Sequence, residues 1–247
     1  MTKTLTQEWL TKQAHTVLHM MPRLQKRTRN QDLHDLRVAF KAIKAIVQHQ
    51  QNGSMQFRDE FPCLIRFFKL AGKLRDTNQI RAKMGTLPAY PAKGKADKLL
   101  KNQGKNAASQ LRHFLANGEA KASIAIELHQ LESLQPHQLE FSGAIRQLSG
   151  TTLPEQKNDW HDWRKKLKDL HYLKTAEGLD EENMDRSILE LQHAIGEWHD
   201  WSNAGSWLIA HEHVFKPADF YLLQQQISMK TSAWEETVTQ LNQDFIR

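Results

Sequence analysis

Four residues at the same spacing occur twice in this chain, as His34-Arg37-Lys41-Lys44 and as His161-Arg164-Lys168-His171. The chemistry such a set can perform is the capture of anions. Arg offers a planar fork that bridges two oxygens, Lys a mobile point charge, and His a donor that becomes cationic as pH falls. At about 100° per residue, offsets of 0, 3, 7 and 10 fall within roughly 80° of one helical face. A merely solvated face usually mixes signs at i,i+4, because like charges repel there. The first set contains no acid at all, which favours a cationic stripe over a solvated surface.

Each set lies one residue after an apolar set of the same spacing. Leu33, Leu36, Phe40, Ile43 and Val47 accompany the first, and Trp160, Trp163, Leu167 and Leu170 the second. Each helix is therefore expected to bury one stripe and to carry its cations beside it. Further basic residues repeat the spacing on two more segments, Arg66-Lys69-Lys73 and Lys98-Lys101-Lys105, and Lys165 adjoins the second tetrad. Any one triplet could be an ordinary solvated face; recurrence over three segments predicts a basic surface built from several helices.

Other chemistries find little purchase. His211-Glu212-His213 is the densest cluster of metal-ligating side chains, but residues two apart on a helix diverge. No H-E-x-x-H, EF-hand loop, P-loop or dinucleotide glycine fingerprint is present, nor a G-x-S-x-G elbow. The lone Cys63 permits neither an intrachain disulfide nor a cysteine metal cluster, and reads as a small apolar residue. Trp160, Trp163, Trp198 and Trp201 recur at helical spacing and read as core, on a face neighbouring the cations rather than among them. The expectation is a binding protein that is not an enzyme, with no metal and no cofactor.

The elements that must position these residues are helical almost throughout. Glycine (11) and proline (7) are scarce over 247 residues, and no segment alternates with period two. Helices are predicted over 5–20, 30–51, 56–84, 95–116, 120–133, 136–148, 156–176, 182–213 and 218–245, with stops at Asn52-Gly53-Ser54, Leu87 to Pro91, Asn117-Gly118 and Thr151 to Pro154. The order contains an apparent duplication. In each half a tetrad helix leads into a helix with a central glycine, Gly72 or Gly196, and aligning these puts Arg75-Asp76 on His199-Asp200. Such glycines weaken a helix and are expected where two helices pack closely. Asp76 and Asp200 are candidates to pair with the tetrad helix. The predicted architecture is all-α: two pseudo-symmetric four-helix bundles, about 1–118 and 119–247, packed as one domain.

Charge is unevenly divided along the chain. Residues 1–118 hold 22 Lys and Arg against 7 Asp and Glu, whereas residues 119–247 hold 12 against 21. Such asymmetry implies an anionic partner or attraction between the halves. Six of the twelve basic residues of the acidic half lie between Lys157 and Lys174, around the second tetrad. No apolar run reaches the ~20 residues of a membrane span, and the N-terminal residues lack a secretory h-region. The expected location is the cytoplasm, with no membrane partner.

The motifs resemble those of the CHAD family, the conserved histidine α-helical domain. LHDLRVAFKAIKAIV is similar to its N-terminal H-x-x-R-V-x-x-R-R-L-R motif, and WHDWRKKLKDLHYL to its second, H-x-x-R-x-x-x-K-K-L-R-Y. LAGKLRDTNQI and LQHAIGEWHDWSNA resemble its two glycine elements, and the four occur in the family's order across most of the chain. The resemblance implies two four-helix bundles whose basic surface binds inorganic polyphosphate. The implied binding residues are His34, Arg37, Lys41, Lys44, His161, Arg164, Lys168 and His171, with Arg66, Lys69 and Lys73 beside the first glycine element. Association with polyphosphate granules would follow from such binding. Ala42 and Asp169 stand where the motif usually has a basic residue, and His171 where it has Arg, so positive density is lower than in a typical member. A nucleic-acid-binding helical module and an electrostatic protein-interaction scaffold are the competing readings.

Overall fold

A computed structural model describes residues 4–50, 57–133, 153, 154, 156–178 and 186–246. Among these residues the chain is all-α, without a strand. In chain order the helices are α1 (Leu5–Lys26), α2 (Asn30–Gln50), α3 (Phe57–Glu60), α4 (Pro62–Gly85), α5 (Lys95–Ala116), α6 (Gly118–Ser133), α7 (Lys157–Ala176), α8 (Arg186–Ala210) and α9 (Pro217–Ile246). A 3₁₀ turn, Glu212–Val214, separates the last two. The predicted helix over 136–148 and the Asn52-Gly53-Ser54 stop lie outside the described residues.

Local chemistry sets the boundaries. Thr4 caps α1 by accepting from the Gln7 N–H at 3.2 Å. Asn117 ends α5 and caps α6, its Oδ1 accepting from the N–H groups of Glu119 and Ala120. The helix expected over 56–84 is broken instead at Phe61. Pro62 disfavours helical geometry in the residue before it and begins α4, where its missing N–H costs nothing. Similarly, the helix expected over 182–213 stops at Ala210, and Pro217 opens α9.

The chain forms two compact units, each drawn from three stretches. Unit 1 comprises residues 1–75, 105–149 and 169–183; unit 2 comprises 76–104, 150–168 and 184–247. The division falls within α4, α5 and α7 rather than at residue 118. In unit 1, α1 packs on α2 and α6. Its core takes the whole predicted stripe of α2, with Leu33, Leu36, Phe40, Ile43 and Val47 all essentially inaccessible, and adds Leu64, Phe67, Leu111 and Leu128. In unit 2, α8 packs on α9, and Met84, Leu100, Trp201, Trp207, Leu223 and Ile227 form the core. Trp160, Trp163 and Leu167 are buried as predicted, whereas Trp198 is only partly so and donates to the Glu235 carboxylate at 3.2 Å. Cys63 is partly exposed rather than fully buried.

Candidate functional site

In unit 1 the cations lie on α2 and the first half of α4. His34 and Lys44 are exposed and Arg37 and Lys41 partly so, while Arg66, Lys69 and Lys73 are all exposed on α4. No acidic residue occurs from 36 to 50 or from 62 to 75, so nothing on these stretches offsets the charge. Just upstream, Asp35 is partly exposed and accepts from the Gln31 amide at 2.7 Å, and Asp32 is buried and held by Arg23 at 2.8 Å. Lys73 donates to Gln110 at 3.4 Å, which ties α4 to α5.

Two aromatic rings that sequence reasoning passed over support these cations. The Arg37 guanidinium lies 4.4 Å above the Phe68 ring, and that of Arg66 lies 5.2 Å from the Phe114 centroid. Phe68 itself stacks on Phe40 at 4.0 Å. The ring faces beneath Arg37 and Arg66 are thus occupied by guanidinium groups rather than open to bases.

The mid-helix glycines prove to face arginines. A Cβ on Gly72 would collide with Nη1 of Arg37. A Cβ on Gly196 would stand 2.6 Å from Nη2, 3.1 Å from Cζ and 3.2 Å from Nε of Arg164. The reason for glycine is therefore a seated guanidinium, not the general helix packing expected. Arg164 is held further by donating its Nε–H to the Gln192 carbonyl at 2.8 Å.

The second tetrad differs from the first. His161 is partly buried and stacks on His199, ring centroids 3.9 Å apart and 21° from parallel. Its Nδ1 is buried and has no hydrogen-bond partner among the described residues. Burial, helped by the neighbouring His199, Lys165 and Arg164, pushes the His161 pKa down to about 4. Burial lowers that of His199 as well, against the pull of Asp200 and Asp76. His161 therefore stays neutral at physiological pH and supplies a ring, not the charge expected of it. Lys165 pairs with Asp162 at 2.7 Å, and Lys168 is partly exposed. His171, also partly exposed, falls in unit 1, where its neighbour Tyr172 packs against Ala42 and Ala45.

The third triplet is divided too. Lys98 and Lys101 belong to unit 2 and Lys105 to unit 1, all three exposed. Lys101 bonds Asp97 at 2.7 Å, and together with Arg81 it holds that buried carboxyl below its ordinary pKa. The α8 positions aligned with the α4 triplet carry Glu190, His193 and Glu197; Glu190 pairs with Arg186 and Glu197 with Lys83.

His211 is consumed by structure. It donates from Nδ1 to the Trp207 carbonyl at 2.8 Å and accepts at Nε2 from Gln103 at 3.3 Å, while Trp207 Nε1 donates to Gln103 Oε1. Among the described residues, no group of three or more His, Cys, Asp or Glu side chains could hold a metal ion, and no helix is long and apolar enough to cross a membrane.

Among the described residues these observations define an all-α protein with exposed cations on α2 and α4 of unit 1 and two arginines seated against glycines, Arg37 and Arg164. The chain is similar in structure to PptA from Streptomyces chartreusis, with a TM-score of 0.72 and 17% sequence identity over 97% of this chain and 98% of that one. At that identity the likeness concerns the fold, and it supports a CHAD-like one. No protein-family model and no curated protein matches the chain.

Proposed function

We propose that this protein binds inorganic polyphosphate without turning it over, through the cations of α2 and α4 in unit 1; within unit 2, Arg164 and Lys168 form a separate set of phosphate-binding cations. The observation that carries the reading is a run of cations on two helices of unit 1: Lys44, Arg66, Lys69 and Lys73 stand exposed on stretches of α2 and α4, 36–50 and 62–75, that hold no acid. A flexible chain of phosphates is the ligand that such a dispersed set of forks and point charges suits. The CHAD-like fold agrees with it, as does the resemblance of the four motifs. A nucleic acid is the poorer match, because the rings beneath Arg37 and Arg66 are already covered and offer bases no open stacking face. On this reading the protein works in the cytoplasm, where it would associate with polyphosphate stores.

The test is competition for labelled long-chain polyphosphate by unlabelled polyphosphate, duplex DNA, RNA and heparin at matched charge, over a range of salt. Displacement by polyphosphate well below the concentrations needed of the others supports the proposal. Equal displacement by DNA or RNA overturns it in favour of a nucleic-acid or generic polyanion surface.

A further inference from the structure

We infer that Gly72 and Gly196 are positioning residues, which hold Arg37 and Arg164 as pre-oriented guanidinium forks for the phosphate chain. The inference rests on the polyphosphate reading and adds to it the residues that fix the forks. The same device recurs in each unit. In both cases the guanidinium lies against a glycine and the residue four positions before it on the same helix. At Gly72 that residue is Phe68, whose ring face meets Arg37 at 4.4 Å. At Gly196 it is Gln192, whose carbonyl accepts the Arg164 Nε–H at 2.8 Å.

Residues four apart lie one above the other on a helix, so each pair forms a continuous shelf one turn long. Absence of a Cβ lets the planar group reach the backbone, and at Gly196 it opens the Gln192 carbonyl to a second donor beside the helical N–H. A mid-helix glycine weakens its helix, and here the two seats account for both. Both arginines remain partly exposed, so a ligand can reach the seated groups. A side chain fixed beforehand loses less rotamer freedom when a phosphate arrives.

The test uses Gly72→Ala and Gly196→Ala in the full chain, with polyphosphate affinity measured against salt. These variants keep every charge, so the salt slope should stay that of the wild type while affinity falls about three- to tenfold per glycine. In an Arg37→Lys background Gly72→Ala should cause no further loss, and likewise Gly196→Ala in Arg164→Lys. Undiminished affinity with a raised Tm, as for an ordinary helix glycine, overturns the inference, as does equal loss in the two backgrounds. Should Gly196→Ala fail to fold, Arg164→Lys must restore it by removing the colliding group; failure to restore it also overturns the seat.

A ligand-free readout separates this inference from the functional reading. The Arg164 Nε–H should give a slowly exchanging ¹⁵N NMR signal that Gly196→Ala abolishes. If the wild type binds no polyphosphate, the functional reading falls, and loss of that signal still upholds the seat. A signal unchanged by Gly196→Ala overturns the seat whatever the binding shows.

Discussion

His161 shows how one residue type at one spacing can serve two purposes in the same chain. Its counterpart His34 is exposed, while His161 is stacked on His199 with its Nδ1 buried. The consequence is a pH-dependent stability. Between the ordinary imidazole value of 6.5 and about 4, the unfolded chain takes up a proton that the folded chain refuses. Stability from this site is thus complete above about pH 6.5 and is lost as pH falls toward 4. Because the ring is partly exposed, solvent screening reduces the effect to on the order of 1–2 kcal/mol, or a few degrees in Tm. His161→Gln should accordingly show a shallower fall of Tm between pH 7 and 5 than the wild type, measured by thermal melts in matched buffers. Parallel curves would remove His161 as the titrating group. Spacing alone placed this residue in a repeated set. It could not reveal the charge state, which follows from the burial and neighbours that tertiary packing supplies.

At the level of elements, the start of α4 combines a signal that is local with one that is not. Pro62 at the first helical position is local, and it explains why α3 and α4 are separate where a single helix over 56–84 was expected. The cap is remote. Glu127, buried on α6, accepts from the N–H groups of Cys63 at 3.0 Å and Leu64 at 2.7 Å, and so satisfies two donors that Pro62 leaves without a side-chain cap of their own. Its negative charge also complements the helix dipole. Glu127→Ala should cost about 2–3 kcal/mol in urea unfolding, with Glu127→Gln losing less because one oxygen still accepts. Loss below about 0.5 kcal/mol for the alanine variant would mean that solvent caps α4 equally well. The apolar stripe of α2 was legible in the sequence because its period is written within one helix. A partner 63 or 64 residues away is not, and neither is the arginine resting on a glycine from another helix.

Over the whole molecule, folding rearranges the charge asymmetry that the sequence displays. Divided at residue 118, the halves carry +15 and −9; divided as the compact units are, unit 1 holds 19 Lys and Arg against 14 Asp and Glu, and unit 2 holds 15 against 14. Basic stretches of the first half join acidic ones of the second, as in the Lys83–Glu197 pair within unit 2. Net charge therefore says little about where an anion would bind, and the placing of individual cations decides it. Lys69 stands exposed on an acid-free stretch of α4, whereas Lys101, also exposed, is engaged by the buried carboxylate of Asp97. Replacing Lys69 with Gln should lower the slope of log affinity against log salt by about 0.7, the value for single-stranded polyanions, and should leave Tm nearly unchanged. Lys101→Gln should do the reverse: the slope holds, because that charge is already neutralised, and Tm drops because Asp97 is left with Arg81 alone. Titrations from 50 to 300 mM salt, paired with thermal melts, distinguish the two behaviours. A slope change of the same size for Lys101→Gln as for Lys69→Gln would show that ion pairs within the fold yield to the ligand, and that binding samples the total charge of the surface rather than its uncompensated part.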